Sequence, residues 1–212
     1  GKHEASLSNL LGLVLQDKGD LDGALRYSER ALKINKQVYG PAHPLVATLA
    51  NNVGTILQDK GDLKGALNHI KQALQINEEV YGSNHPHVAL GINNISRILR
   101  DKGDLEGSLH YAKQALKVSE TVYGPDHPIV ATVASNIGGI LQIRGDLEGA
   151  LRYTEQALRI NEEVYGFHHP VVAVLFSNIG MILKEKGDLE GALRYTKRAL
   201  RINEEIYGPN HH

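Results

Sequence analysis

Apolar residues recur along the chain with helical spacing, and the pattern restarts at a fixed interval. After His43-Pro44, the residues Leu49, Val53, Ile56 and Leu57 fall on one face of a 3.6-residue period. That pattern stops at Lys60-Gly61. A second helical face follows, formed by Leu63, Ala66, Leu67, Ile70, Ala73, Leu74, Ile76 and Val80. Pro44 suits a first helical turn, where its missing N–H has no partner to lose. Gly61 suits the left-handed residue that ends a helix, and Asp62 the carboxylate that caps the next. Tyr81-Gly82-Ser83-Asn84-His85 closes the unit and Pro86 opens another. Strand signals are absent, so the unit reads as helix, tight turn, helix.

The unit is copied five times. Lys18-Gly19-Asp20 returns at Lys60, Lys102, Arg144 and Lys186, always 42 residues on. Tyr39-Gly40 returns at 81, 123, 165 and 207, and His43-Pro44 at 85, 127 and 169. Residues 127–168 and 169–210 are identical at 29 of 42 positions. A fixed period of this size signals a stack of supersecondary units rather than one or two ordinary domains. The reading is a single all-α solenoid of about ten helices, with repeats near 1–42, 43–84, 85–126, 127–168 and 169–210.

Composition sharpens this picture. The 22 Gly in 212 residues are many for a helical chain, because a mid-helix Gly costs about 1 kcal/mol against Ala. Most have a place in the repeat. Gly12, Gly54, Gly138 and Gly180 sit mid-first-helix, with Ser96 at the fifth such position. Small residues there imply close approach of two helices. The column Gly23, Gly65, Gly107, Gly149 and Gly191, early in each second helix, has no equally good reason in the sequence.

The motifs resemble the tetratricopeptide repeat. The run Asn52-Val53-Gly54-Thr55-Ile56-Leu57-Gln58-Asp59-Lys60-Gly61-Asp62-Leu63-Lys64-Gly65-Ala66-Leu67, followed by Ala73-Leu74, carries its small first-helix residue, Gly-Asp turn and two Ala positions. Two departures stand out. The period is 42 rather than 34, and Glu78 occupies the Pro that ends the common second helix, so this helix continues through Val80. The long period with a Tyr-Gly-Pro-x-His-Pro junction is similar to the repeats of kinesin light chains, nephrocystin-like proteins and some bacterial signalling ATPases. The resemblance implies an alpha-alpha superhelix, right-handed, whose concave wall is made of first helices. It also implies a non-catalytic protein- or peptide-binding scaffold.

First-helix positions pointing away from the second helix would line that wall. Thr48, Asn51, Thr55 and Gln58 are spaced 3, 4 and 3, one helical stripe. Beside them runs a column of Asn52, Asn94, Asn136 and Asn178, flanked by Asn51, Asn93, Ser135 and Ser177. Asn and Ser are mediocre helix formers, so the columns need a reason. Amides that both donate and accept could grip an extended peptide, or could link neighbouring repeats. Arg97 and Arg100 supply a basic centre, while Gln142, Met181 and Lys184 continue the wall. Two Arg one turn apart suit acidic side chains. They also suit plain pairing with Asp101.

Other chemistries find little support. With no Cys there is no disulfide framework and no thiolate site. A net charge of −1 offers no basic excess for nucleic acid or an anionic membrane. No apolar run approaches the roughly 20 residues of a membrane span, and no signal-peptide core is visible. These features point to a cytoplasmic protein. The eleven His include one junction position copied at 43, 85, 127, 169 and 211. Each reads as a local bond at a helix start, since copies a repeat apart cannot share a metal. The Tyr column reads as packing between repeats. No nucleophile elbow or phosphate loop appears, so neither enzyme activity, metal nor cofactor is expected. The alternative to peptide binding is a self-associating array. The sequence shows no polar cap after Tyr207, and open ends could stack copies into homo-oligomers.

Overall fold

A computed structural model describes residues 1–208. Among them are ten α-helices and no strand: α1 (Lys2–Asp17), α2 (Leu21–Tyr39), α3 (Pro44–Asp59), α4 (Leu63–Tyr81), α5 (Pro86–Asp101), α6 (Leu105–Tyr123), α7 (Pro128–Ile143), α8 (Leu147–Tyr165), α9 (Pro170–Lys186) and α10 (Leu189–Tyr207). The chain forms two compact units, Gly1–Tyr111 and Ala112–His212. In the first unit α1 pairs with α2 and α3 with α4, while α2 packs on α3 and α4 on α5. In the second α7 pairs with α8, α8 packs on α9, and α9 pairs with α10.

The turns follow from their sequence. Gly61 takes φ +83°, a conformation that costs a residue with a Cβ. It lets the Asp62 N–H reach back to Leu57 O (2.9 Å) and the Gly61 N–H to Gln58 O (2.9 Å). This pair of bonds closes α3 as a Schellman motif. Asp62 then turns outward and its carboxylate accepts the Gly65 N–H at 2.9 Å. The same cap recurs at Asp20, Asp104, Asp146 and Asp188. This explains the second glycine column. A Cβ on Gly65 would lie 2.9 Å from Asp62 Cγ and 3.2 Å from Leu57 Cδ1, so the capping carboxylate needs the space.

The first glycine column marks close helix contact. A Cβ on Gly54 would meet Ile70 Cδ1 at 2.7 Å and Ala66 O at 3.2 Å. The third pair solves the problem differently. Ser96 Oγ donates to Ser108 O (2.8 Å) and Ser108 Oγ donates to Ser96 O (2.8 Å), so two buried hydroxyls join α5 to α6.

At the junctions, the imidazole Nδ1 of His43 accepts the Leu45 N–H at 3.1 Å and so caps α3. His85, His127 and His169 do the same for α5, α7 and α9. Each ring also stacks on the Tyr four residues earlier, with centroids 4.1 to 4.7 Å apart. The fifth copy, His211, lies outside the described residues. Glu78 leaves α4 unbroken to Tyr81, as its sequence implies.

Cores lie between helices. Val46, Ala50, Val53, Ile70, Ala73, Ile95 and Ile98 are buried together in the first unit. Val130, Ala134, Ile160, Val172, Phe176 and Ile179 are buried together in the second. Each buried Val or Ile contributes about 1.5–3 kcal/mol. The repeat positions are not equivalent throughout. Val53, Ile95, Ile137 and Ile179 are buried, whereas Leu11 is 46% exposed, because no second helix packs on that face of α1. Leu193 and Leu200 on α10 are exposed, whereas Leu158 on α8, which α9 packs against, is buried. Val80 is also exposed.

Candidate functional site

The predicted wall residues divide between the units. Asn51, Asn52, Thr55, Asn93, Asn94, Arg97 and Arg100 lie on α3 and α5 in the first. Ser135, Asn136, Gln142, Ser177, Asn178, Met181 and Lys184 lie on α7 and α9 in the second. All but Asn94, Met181 and Lys184 are half-buried; Asn94 is buried, and the other two are exposed.

Much of the amide chemistry is spent between helices. Asn94 Nδ2 donates to Asn51 Oδ1 at 2.9 Å, and Asn52 Nδ2 donates to Asn9 Oδ1 at 3.3 Å. A second row joins the helix ends. Gln16 donates to Asp59 (2.8 Å), Gln58 to Asp101 (2.5 Å) and, in the other unit, Gln142 to Glu185 (2.7 Å). Every one of these pairs is separated by 43 residues, one repeat plus one. The Thr55 hydroxyl folds back onto Asn52 O at 2.8 Å. For Asn51, Asn52 and Asn94 the linking role therefore has a partner at hydrogen-bond distance.

Charge on the wall is not uniform. Arg100 reaches Asp101 on its own helix at 3.3 Å, a carboxylate that Gln58 also engages. Among the described residues Arg97 and Lys184 form no ion pair. Arg97 lies half-buried on α5 and Lys184 exposed on α9. Gly139, at the Arg97 position of the following repeat, has nothing near its missing Cβ.

Apolar side chains also reach the surface here. Leu90 on α5 is 50% exposed, and Val174 and Met181 on α9 are 58% and 51% exposed. Leu90 and Val174 occupy the position of Thr48 and Thr132. Following the Thr48 column forward by 42 residues would have found them. A surface offering amide, cationic and aliphatic groups side by side suits an extended polypeptide better than a small polar metabolite.

Among the described residues no group of three or more His, Asp or Glu is placed to hold a metal ion. His85 and His87 have ring centroids 5.2 Å apart, and His85 is already engaged as a cap. His69 is different in kind. It stands where Tyr27, Tyr111, Tyr153 and Tyr195 stand, and its Nδ1 is buried without a hydrogen-bond partner. Burial, with the Lys36 charge, holds its imidazole below the ordinary value, against the weaker opposing pull of Glu29 and Asp62. Among the described residues no helix is long and apolar enough to cross a membrane.

A tetratricopeptide repeat family profile matches residues 3–79, 45–121 and 88–163, and a second tetratricopeptide repeat profile matches 172–212. Among solved structures, BtubC (BKLC) from P. vanneervenii is similar at 25% identity, covering 97% of this chain and 82% of that one, with a TM-score of 0.83. A Podosopora anserina kinesin light chain candidate with nearly identical TPR-like repeats is similar at 16% identity, 98% and 99% coverage and a TM-score of 0.81. A Rap protein complexed with Competence and Sporulation Factor is similar at 18% identity, 95% and 54% coverage and a TM-score of 0.79. No curated protein matches the chain.

Proposed function

The chain belongs to the tetratricopeptide repeat family, and from that premise we propose that it is a non-catalytic scaffold binding an extended, acidic peptide segment along its first-helix wall. Repeats of this family typically mediate protein–protein interactions. The observation that carries the finer reading is Arg97, half-buried on α5 with no ion-pair partner among the described residues. A cation held part-way out of water is satisfied by a carboxylate from a partner, and an Arg fork suits it best. Leu90 on the same helix supports an apolar residue of the ligand near the acidic one. In the second unit Lys184, Val174 and Met181 repeat that combination. The half-buried amide of Asn178 and the hydroxyls of Ser135 and Ser177 would meet the peptide backbone. No metal or cofactor takes part, and neither nucleic acid nor membrane is a partner. The reading places the protein in the cytoplasm.

A peptide-library screen with the wild-type chain and Arg97→Glu tests this. Acidic peptides selected by the wild type are expected to bind the variant on the order of tenfold more weakly, with unchanged helicity and melting. Equal binding of those peptides to both chains would overturn the acidic reading.

A second reading is favoured by the exposed leucines. Leu7, Leu11 and Val14 lie on one exposed stripe of α1, and Leu193 and Leu200 on α10. Copies of the chain would stack α10 onto α1, as α8 packs on α9 within the chain. Light scattering over a concentration series decides it, and a constant monomer mass would rule stacking out.

A further inference from the structure

Around the junction of the fourth and fifth repeats, several residues depart from their copies elsewhere in the chain. Phe167 stands where the other repeats have Pro or Ser, and Phe176 where they have Ser, Ala, Ile and Ala. These are the only two Phe of the chain. Arg198 stands where the three preceding repeats have Gln72, Gln114 and Gln156, and the first repeat Arg30. All three line one cavity of about 340 Å³, with His168, Arg201, Ile202 and Glu205. The cavity lies between the α8–α9 loop, α9 and α10, wholly within the second unit and apart from the wall cations.

Its chemistry is divided. Phe176 and Ile202 form a buried apolar floor, and Phe167 is a 64% exposed flank. The one acid of the lining, Glu205, is already neutralised. His168 Nδ1 lies 2.6 Å from it and Arg201 Nε 3.0 Å, and both hold its carboxyl below the usual range. Arg198 is the lining cation without a salt bridge at hydrogen-bond distance; burial pushes the Glu162 carboxyl up and the Arg198 charge partly offsets that. Its guanidinium stands 5.7 Å from the Phe176 ring centroid and 6.0 Å from that of Tyr195, and among the described residues it donates to no carboxylate. A guanidinium stacked on rings keeps its edge N–H groups free for an oxyanion. In the preceding repeat Arg159 and Glu163, at the positions of Arg201 and Glu205, stay 54% and 55% exposed although α9 packs on α8.

We propose that this cavity is a second binding site, for a small carboxylate carried on an aromatic body. The ring lies on Phe176, Ile202 and Phe167, and the carboxylate meets Arg198. The volume fits one such molecule, at the lower end of ordinary ligand sites. The site is independent of the peptide wall.

The probe is 4-phenylbutyrate, with its neutral amide as control, titrated into the full chain and followed by calorimetry and by NMR. The variants restore residues that the other repeats already carry, Arg198→Gln and Phe176→Ala, so they are compatible with the fold. The wild type is expected to bind the acid saturably and the amide at least tenfold more weakly. Arg198→Gln should lose at least tenfold for the acid and little for the amide, while Phe176→Ala should weaken both. Arg97→Glu should change neither, which separates this site from the wall whether or not the wall binds peptide. No saturable binding, equal binding of acid and amide, or an acid affinity unmoved by Arg198→Gln would each overturn the proposal.

Discussion

Asn94 of α5 is buried and donates its amide to Asn51 of α3 across 2.9 Å, so a polar column of the wall also fastens one repeat to the next. A buried amide without that acceptor loses a bond and keeps its desolvation cost. Asn94→Ala is expected to destabilise the chain by about 1–2 kcal/mol. In a double-mutant cycle with Asn51→Ala, a coupling of about 0.5–1.5 kcal/mol is expected. Urea unfolding measures both. A coupling of zero would mean that the pair does not link the repeats.

Neighbouring glycines of α7 should respond oppositely to the same change. A Cβ on Gly138 would press against Thr154 Oγ1 and lie 3.2 Å from Ala150 O, where the α8 backbone cannot yield cheaply. A Cβ on Gly139 would meet nothing within 4 Å. Both are helical and neither has a positive φ. Gly139→Ala is therefore expected to gain about 0.5–1 kcal/mol from helix propensity alone. Gly138→Ala should lose about 1–3 kcal/mol through overpacking, despite the same propensity gain. The two melting temperatures should move in opposite directions from wild type.

The repeat, its turns and its caps were legible because each is written in local sequence. Lys-Gly-Asp closes one helix and caps the next within three residues, and His-Pro sets a helix start. The Gly65 column was not legible, since its cause is the carboxylate of Asp62 folded over the first turn. The Asn column was legible as polar but ambiguous in purpose. The answer for Asn94 lay in an offset, because neighbouring first helices pair residue i with i+43, not i+42. Applied to the sequence, that offset also matches Gln58 to Asp101 and Gln142 to Glu185. The Arg198 cavity was missed for the opposite reason. It is built from departures, and attention to shared columns averages departures away.

His69 is such a departure, and it gives the first unit a sensitivity to acid. Burial and Lys36 keep its imidazole harder to protonate in the folded chain than in the unfolded one, only partly offset by Glu29 and Asp62. Above the ordinary value of about 6.5 the ring is neutral in both states and has no effect on folding through its proton. As the pH falls through that value the unfolded chain takes up the proton first, so stability drops. The drop levels off once the folded form is protonated as well. His69→Tyr, which restores the residue of the other four repeats, removes this titration. A Tyr hydroxyl at the position need not stay buried, as the half-buried Tyr27 and Tyr111 show. Urea midpoints of the two proteins between pH 8 and pH 5 should therefore differ by an amount that is flat above pH 7 and grows in favour of the variant below it. A difference independent of pH would assign His69 a packing role alone.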